Sequence, residues 1–258
     1  MGIIRRKVVK GVILAAGRGA RLSSLTVHKP KPLLTIAGKT LFEWQMEAMK
    51  IGGVDDITVV TGYLGEQFSN FDIKRKENSR WASSNMVRTL MCVDDILSKE
   101  SCVVSYGDIV YHPDIVKKLI GTKGDIVISY DKEWLDLWML RGDNPLEDAE
   151  SFAEQGGVLL DIGRKVTDLS EISGQYMGLI LIRTKGWEKI KEKLQVETED
   201  FINNLDMTAL LQLLLSGGVE INTMRVNGNW LEVDTPVDLA RYQEKISNDS
   251  SWSHDWRW

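Results

Sequence analysis

A glycine-rich turn, one arginine, one lysine and two aspartates carry the chemistry that this 258-residue sequence could perform. Leu14-Ala15-Ala16-Gly17-Arg18-Gly19-Ala20-Arg21-Leu22 follows an apolar, β-branched run directly, so its glycines let backbone N–H groups approach an anion at a strand's carboxyl end. Arg21 adds a planar fork for phosphate oxygens. Lys31 lies between Pro30 and Pro32, which fix the loop and reduce the entropy lost in holding a flexible amine in place. Asp108 and Asp234 each end an apolar segment, and both can reach one crevice at a sheet's carboxyl edge. Two carboxylates with phosphate oxygens and water suit Mg²⁺, which prefers oxygen ligands and keeps part of its hydration shell. Plainer roles stay open: a turn with a solvated arginine, a surface lysine, and helix caps for Asp108 (on 113–115) and Asp234 (on the helix beginning at Pro236).

These residues need a scaffold, and the hydrophobic pattern supplies one. Continuous apolar runs at 11–15, 57–60, 102–105 and 125–129 fit strands buried on both faces of a largely parallel sheet. Helical spacing recurs between them at 41–51 and 85–97. The expected fold is therefore α/β, a doubly wound, Rossmann-like and mostly parallel mixed sheet. A less regular insertion at about 131–174 carries Trp134, Trp138 and Arg141 and is expected to cover the site. A strand at 176–182, a helix at 207–216, a strand at 220–226, the segment 229–234 and a helix at 236–246 close a single domain, 1–246. The tail 247–258 is polar apart from Trp252, Trp256 and Trp258 and reads as a flexible end or docking segment.

Composition narrows the function. A net charge of −5 argues against a broad phosphate-neutralising surface for nucleic acid. Cys92 and Cys102 lack zinc spacing and read as reduced core thiols. Arg5, Arg6 and Lys7 precede too short an apolar stretch for a signal peptide or membrane span, so a cytoplasmic protein is expected. A dinucleotide fingerprint would need a third glycine where Leu22 stands, which disfavours a dehydrogenase.

Lys29-Pro30-Lys31-Pro32-Leu33-Leu34 follows the glycine-rich turn, Gly107-Asp108 follows the run at 102–105, and Trp230-Leu231-Glu232-Val233-Asp234-Thr235-Pro236 lies near the end. In this order the sequence resembles the NTP-transferase (sugar-nucleotidyltransferase) family over most of its length. Ser84-Asn85-Met86-Val87, Ser105-Tyr106-Gly107-Asp108-Ile109-Val110-Tyr111 and Gly174-Gln175-Tyr176-Met177-Gly178-Leu179 look closer to its phosphocholine and aminoethylphosphonate cytidylyltransferases.

The resemblance implies an NTP donor, CTP by the finer likeness, a small phospho- or phosphono-acceptor, Mg²⁺ as cofactor and pyrophosphate as leaving group. It puts Lys31 and Arg21 on the phosphates being transferred. Asp108 and Asp234 fall where the family places its metal ligands, and Ala15, Gly17, Gly19 and Asn85 fall on the nucleotide. Lys165 occupies the place of an acceptor-phosphate lysine, although Gly163-Arg164 replaces the family's acidic neighbour and no proline follows. Trp134, Arg141 and Tyr176 are candidate acceptor contacts, and some of the aromatic residues Trp134, Trp138, Tyr130, Tyr111 and Tyr176 could cage an alkylammonium group. Asn85 and Asp206 have helix capping as their simplest alternative. No nucleic-acid or membrane partner is implied, and a homodimer is compatible. A hexose-1-phosphate nucleotidyltransferase using UTP or dTTP, or a non-catalytic nucleotide-binding relative, are the competing readings.

Overall fold

The computed structural model describes residues 8–142 and 144–258, so Arg5, Arg6 and Lys7 lie outside it. Its strands in chain order are β1 (Val9–Ala15), β2 (Thr35–Ile36), β3 (Lys39–Thr40), β4 (Ile57–Thr61), β5 (Lys74–Glu77), β6 (Ser101–Tyr106), β7 (Ile109–Tyr111), β8 (Ile126–Asp131), β9 (Glu150–Gln155), β10 (Val158–Lys165), β11 (Gln175–Ile182), β12 (Asn222–Val226) and β13 (Trp230–Glu232). Nine of them form one sheet in the order β5-β4-β1-β6-β11-β8-β12-β10-β9. The sheet is mixed. β5, β4, β1 and β6 are mutually parallel, as are β8 and β12, while β11 runs antiparallel between β6 and β8. Val12, Val59, Val103 and Ile128 are fully buried, as strands covered on both faces require.

The expected α/β architecture with flanking helices is present. Helix Leu41–Ile51 starts at a capping box in which Thr40 and Glu43 satisfy each other's backbone N–H groups. Its buried face carries Gln45, whose side-chain amide donates to the Ile109 carbonyl at 2.7 Å and so ties the helix to the residue after Asp108. The helix expected at 85–97 is two pieces, Met86–Met91 and Asp94–Leu97, with Asp94 and Asp95 opening the second, where acids favour a helix start. Segment 131–174 is more ordered than a connection. It forms helix Trp134–Arg141 and the β9–β10 hairpin, which turns through Gly156 and Gly157 and joins the sheet edge beside β12.

The tail also differs from the flexible end expected. His254 and Trp256 are fully buried, and Trp252 nearly so. Trp256 meets Trp44 edge-on at 5.8 Å, and Trp252 stacks on Tyr242 at 5.9 Å. Each indole takes on the order of 150–250 Å² from water, enough to order a short polar segment. Among the described residues, no helix is long and apolar enough to cross a membrane.

Candidate active site

Two aspartates 126 positions apart meet because two short strands pair. β7 and β13 run antiparallel with Val110 opposite Leu231 and Ile109 opposite Glu232. The ladder continues by one bond, the Val233 N–H donating to the Asp108 carbonyl at 3.0 Å. Asp108, Glu232 and Asp234 thereby place carboxylate oxygens within 4.8 Å of one another. Neither aspartate caps its following helix: His112 caps Pro113–Gly121, and Thr235 with Asp238 forms the capping box of Pro236–Asn248. The capping alternative for both aspartates is thus excluded.

Cations converge on this cluster. Lys31 Nζ donates to Asp108 Oδ2 and to Asp234 Oδ1, both at 2.7 Å, from a side chain that is almost entirely buried. Gly19, at φ +68°, makes this possible: a Cβ there would lie 3.0 Å from Lys31 Cβ and Cδ, so the turn rests on the lysine stem. Arg21 donates to Asp234 Oδ1 at 3.0 Å and approaches Asp148 at 3.5 Å. Arg141 donates to Asp234 Oδ2 at 2.7 Å, lies 3.2 Å from Asp148 and 3.5 Å from Glu232, and stacks over the Trp138 ring at 4.7 Å.

The electrostatics follow from this crowding. Burial opposes the charge on Lys31, but Asp108 and Asp234 outweigh it and hold the amine above its ordinary pKa. Burial likewise opposes the charge on Asp234, and Lys31 with Arg141 outweighs it, holding this carboxyl below the usual carboxylate range. Glu232 goes the other way: burial first, then repulsion from Asp234, pushes its carboxyl well up. Asp108 Oδ1 is buried and has no hydrogen-bond partner. Three clustered carboxylates, one raised and one with an orphaned oxygen, fit a hard divalent cation bound through oxygen. The cluster borders a cleft of about 310 Å³ lined also by Ala15, Gly17, Gly19, Arg21 and Met86.

The chain matches the family of the MobA-like NTP transferase domain over residues 11–192. It belongs to that family of nucleotidyltransferases. A CTP:phosphoglutamine cytidylyltransferase of Campylobacter jejuni is 34% identical over 254 residues, spanning 92% of this chain and 100% of the relative. Two solved structures share the fold. The CTP:phosphocholine cytidylyltransferase of Streptococcus pneumoniae has a TM-score of 0.69 at 23% identity, covering 92% of this chain and 99% of the other. The inositol-1-phosphate CTP transferase of T. maritima has a TM-score of 0.73 at 19% identity, covering 96% and 99%.

A second cavity of this transferase, about 270 Å³, shares Arg21 and Asp234 with the first cleft and is lined also by Glu232 of the carboxylate cluster. Its far wall comes from the insertion and from β11: Trp138, Asp148, Glu150, Phe152 and Tyr176, with Asp206 closing one side. Burial, then Asp206 and Asp148, raises the Glu150 carboxyl, and burial raises Asp148. The buried Trp138 Nε1 has no hydrogen-bond partner. Tyr176 reaches this cavity because β11 is antiparallel, which puts its first residues at the carboxyl ends of β6 and β8.

Several expected site residues stand elsewhere. Lys165 is exposed at the end of β10, opposite Glu150 in the hairpin, and does not line either cavity. Trp134 is buried beside Trp138 rather than facing the cavity. Arg141, expected on the acceptor, is already committed to Asp148, Glu232 and Asp234. Asn85 caps helix Met86–Met91 and donates to the Asn204 carbonyl at 3.3 Å; it lines neither cavity, whereas its neighbour Met86 borders both. Asp206 caps helix Met207–Ser216 and also lines the second cavity, so its two readings coexist. Glu232, Asp148 and Glu150 were not singled out from the sequence. Glu232 and Asp234 have i, i+2 spacing at the end of β13, which in an extended segment points both acids to one face; Asp148 lies in a turn before β9, and no such local pattern marks it.

Proposed function

We propose that the chain is a CTP-dependent cytidylyltransferase that joins CMP to a small phosphorylated or phosphonate acceptor carrying a cationic group. The observation that carries this reading is the junction of the two cavities. At that point Lys31 and Arg21 face the carboxylate cluster on one side, and Asp148, Glu150 and Asp206 line the space beyond. Three carboxylates, two of them raised by burial, beside Trp138 and Tyr176 favour an ammonium head, whose charge relieves their repulsion and whose alkyl groups pack on the rings. The choice of CTP is supported by the cytidylyltransferase relatives, not by a residue of this chain.

In this reading the backbone of Ala15 and Gly17 contacts the base, and Gly19 with Arg21 cradles the triphosphate. An acceptor phosphate or phosphonate oxygen attacks the α-phosphorus in line. The new P–O bond forms as the bond to the β-phosphate's bridging oxygen breaks, and pyrophosphate leaves with that electron pair. The attacking oxygen is anionic near neutral pH, so no general base is required. Lys31 and Arg21 turn from the aspartates to the phosphates, and catalysis rests on positioning and charge neutralisation. Asp108, Glu232 and Asp234 would hold Mg²⁺, which when bound neutralises phosphate charge. We place the reaction in the cytoplasm, supplying an activated headgroup for cell-surface polysaccharide or phosphonate biosynthesis.

The test is pyrophosphate release from each of the four NTPs with phosphocholine, aminoethylphosphonate, phosphoglutamine and hexose-1-phosphates. CTP with an ammonium-bearing acceptor should give the highest kcat/KM. A higher value for UTP or dTTP with a hexose-1-phosphate would overturn the reading.

A further inference from the structure

Asp131, at the end of β8, is fully buried and takes no part in the chemistry above. Four donors surround it: the N–H groups of Gly228 (2.9 Å) and Glu133 (3.0 Å) on Oδ1, and Trp230 Nε1 (2.9 Å) and His254 Nε2 (2.8 Å) on Oδ2. Gly228 and Trp230 flank the entry to β13, the strand that delivers Glu232 and Asp234. His254 belongs to the tail, and the tail grips the same entry a second time: the Asn229 N–H donates to the Ser253 carbonyl at 2.8 Å. Gly228 (φ +62°) and Asn229 (φ +59°) both hold left-handed backbone there. A Cβ on Gly228 would lie 2.1 Å from the Ser253 oxygen, so the turn is shaped to the tail.

On the other strand of the ladder, the His112 N–H donates to the Asn229 carbonyl at 2.9 Å. The tail therefore touches the turn between the main sheet and the two-stranded ladder on which all three clustered carboxylates depend. Two buried indoles, Trp252 and Trp256, hold the tail down, and the polar grip is concentrated at His254 and Ser253. A fold that needed only apolar cover would not require a fully buried imidazole–carboxylate contact at this turn, since such a pair is costly to desolvate.

We propose that the C-terminal tail is a strap that sets the position of β13, with His254 as a positioning residue that acts through Asp131 and Trp230 on the Glu232–Asp234 half of the cation cluster. Ligand geometry must be held to about half an ångström for tight binding, so loosening this entry costs cation affinity before it costs the fold. This rests on the cation site invoked in the proposed function.

The experiment compares the full-length protein with His254→Leu, which removes the imidazole donor, and His254→Gln, whose amide nitrogen can reach the Nε2 position. The first measurement is Mn²⁺ binding by electron paramagnetic resonance, which needs no turnover. The second is the Mg²⁺ midpoint of CTP-dependent pyrophosphate release, with the KM for CTP measured at saturating Mg²⁺. His254→Leu should weaken Mn²⁺ binding and raise the Mg²⁺ midpoint by about tenfold, in the range seen for outer partners of metal ligands. It should move the CTP KM by less than threefold, and His254→Gln should restore most of the loss. Trp230→Phe, which deletes the other Oδ2 donor but keeps an aromatic ring in the core, should shift both midpoints the same way and serves if His254→Leu fails to fold. Wild-type Mn²⁺ affinity in folded His254→Leu or Trp230→Phe, or a lowered melting temperature with unchanged Mn²⁺ binding, would overturn the positioning role. Unchanged variants beside a wild type that turns over refute the strap alone. A wild type that binds Mn²⁺ but releases no pyrophosphate with any NTP refutes the functional reading alone.

Discussion

Lys31→Met separates the counter-ion role that the geometry gives this lysine from the role on the reacting phosphates proposed above. Its amine stands between Asp108 and Asp234, 2.7 Å from each, among the carboxylates that would receive a divalent cation. In the free enzyme Lys31 is therefore the cluster's own counter-ion and a competitor for the cation. Each charge-assisted hydrogen bond is worth about 1.5–3 kcal/mol. Asp234 keeps Arg21 and Arg141, so only the Asp108 bond is lost without replacement, and Asp108 is about a fifth exposed. The expected loss is about 1.5–3 kcal/mol, which at about 2–4 °C per kcal/mol for a domain of this size lowers the Tm by roughly 3–12 °C. Saturating Mg²⁺ should return most of that loss, because the variant binds the cation without displacing an amine. Turnover should move the opposite way, with kcat falling by about 10²–10³, as when a donor aimed at developing charge is removed, and the KM for NTP changing far less. Thermal melts with and without Mg²⁺, a Mn²⁺ titration and steady-state kinetics check all three. Weaker cation binding in the variant, or a change confined to KM, would refute the reasoning.

Other substitutions probe the neighbouring groups. Asp108→Asn and Asp234→Asn should both abolish measurable pyrophosphate release, and Asp234→Asn should lower the Tm more, because Asp234 alone pairs with Lys31, Arg21 and Arg141; near-normal velocity at saturating Mg²⁺ would remove the cation assignment. Glu150→Gln and Asp206→Asn should each raise the KM of an ammonium-bearing acceptor about tenfold, roughly 1.4 kcal/mol, and leave the KM for CTP unchanged. Asparagine still caps helix Met207–Ser216, so an unfolded Asp206→Asn would count against this view of the wall. Burial opposes the charge on Asp131, but His254, Gly228 and Trp230 outweigh it and hold its carboxyl below the usual range. Its contribution to stability is thus complete above the ordinary carboxylate pKa of about 3.9 and is lost as the pH falls below that value. Acid titration of the Tm should show a steeper loss in wild type than in Asp131→Asn.

The elements of the fold were largely legible because their signals are local. Buried strands wrote continuous apolar runs, and helices 41–51 and 207–216 appeared where amphipathic spacing and a polar cap agreed. Strand direction leaves no such mark. The apolar run at 176–182 reads the same parallel or antiparallel, yet its antiparallel course is what carries Tyr176 to the cavity. β5, written Lys-Arg-Lys-Glu, was invisible to an apolar criterion because it is a mostly exposed edge strand, where charge also discourages pairing with another chain.

The same division governs the site. The residues proposed to meet phosphate sit on turns with a steric demand, so Gly19, Arg21 and Lys31 announced themselves through glycine and proline spacing. Arg141 met no such demand. It was expected on the acceptor, and its place as a counter-ion shows only once the chain folds Asp148, Glu232 and Asp234 around it. His254 was hidden more deeply, because three tryptophans in a polar tail suggest stickiness, whereas the meaning of the histidine depends on a carboxylate 123 positions away. Chemistry that acts through local backbone shape can be read along the sequence. The counter-charges and braces that hold it are fixed by long-range closure, and in this transferase they come from the insertion and from the tail, the two segments with the weakest periodicity.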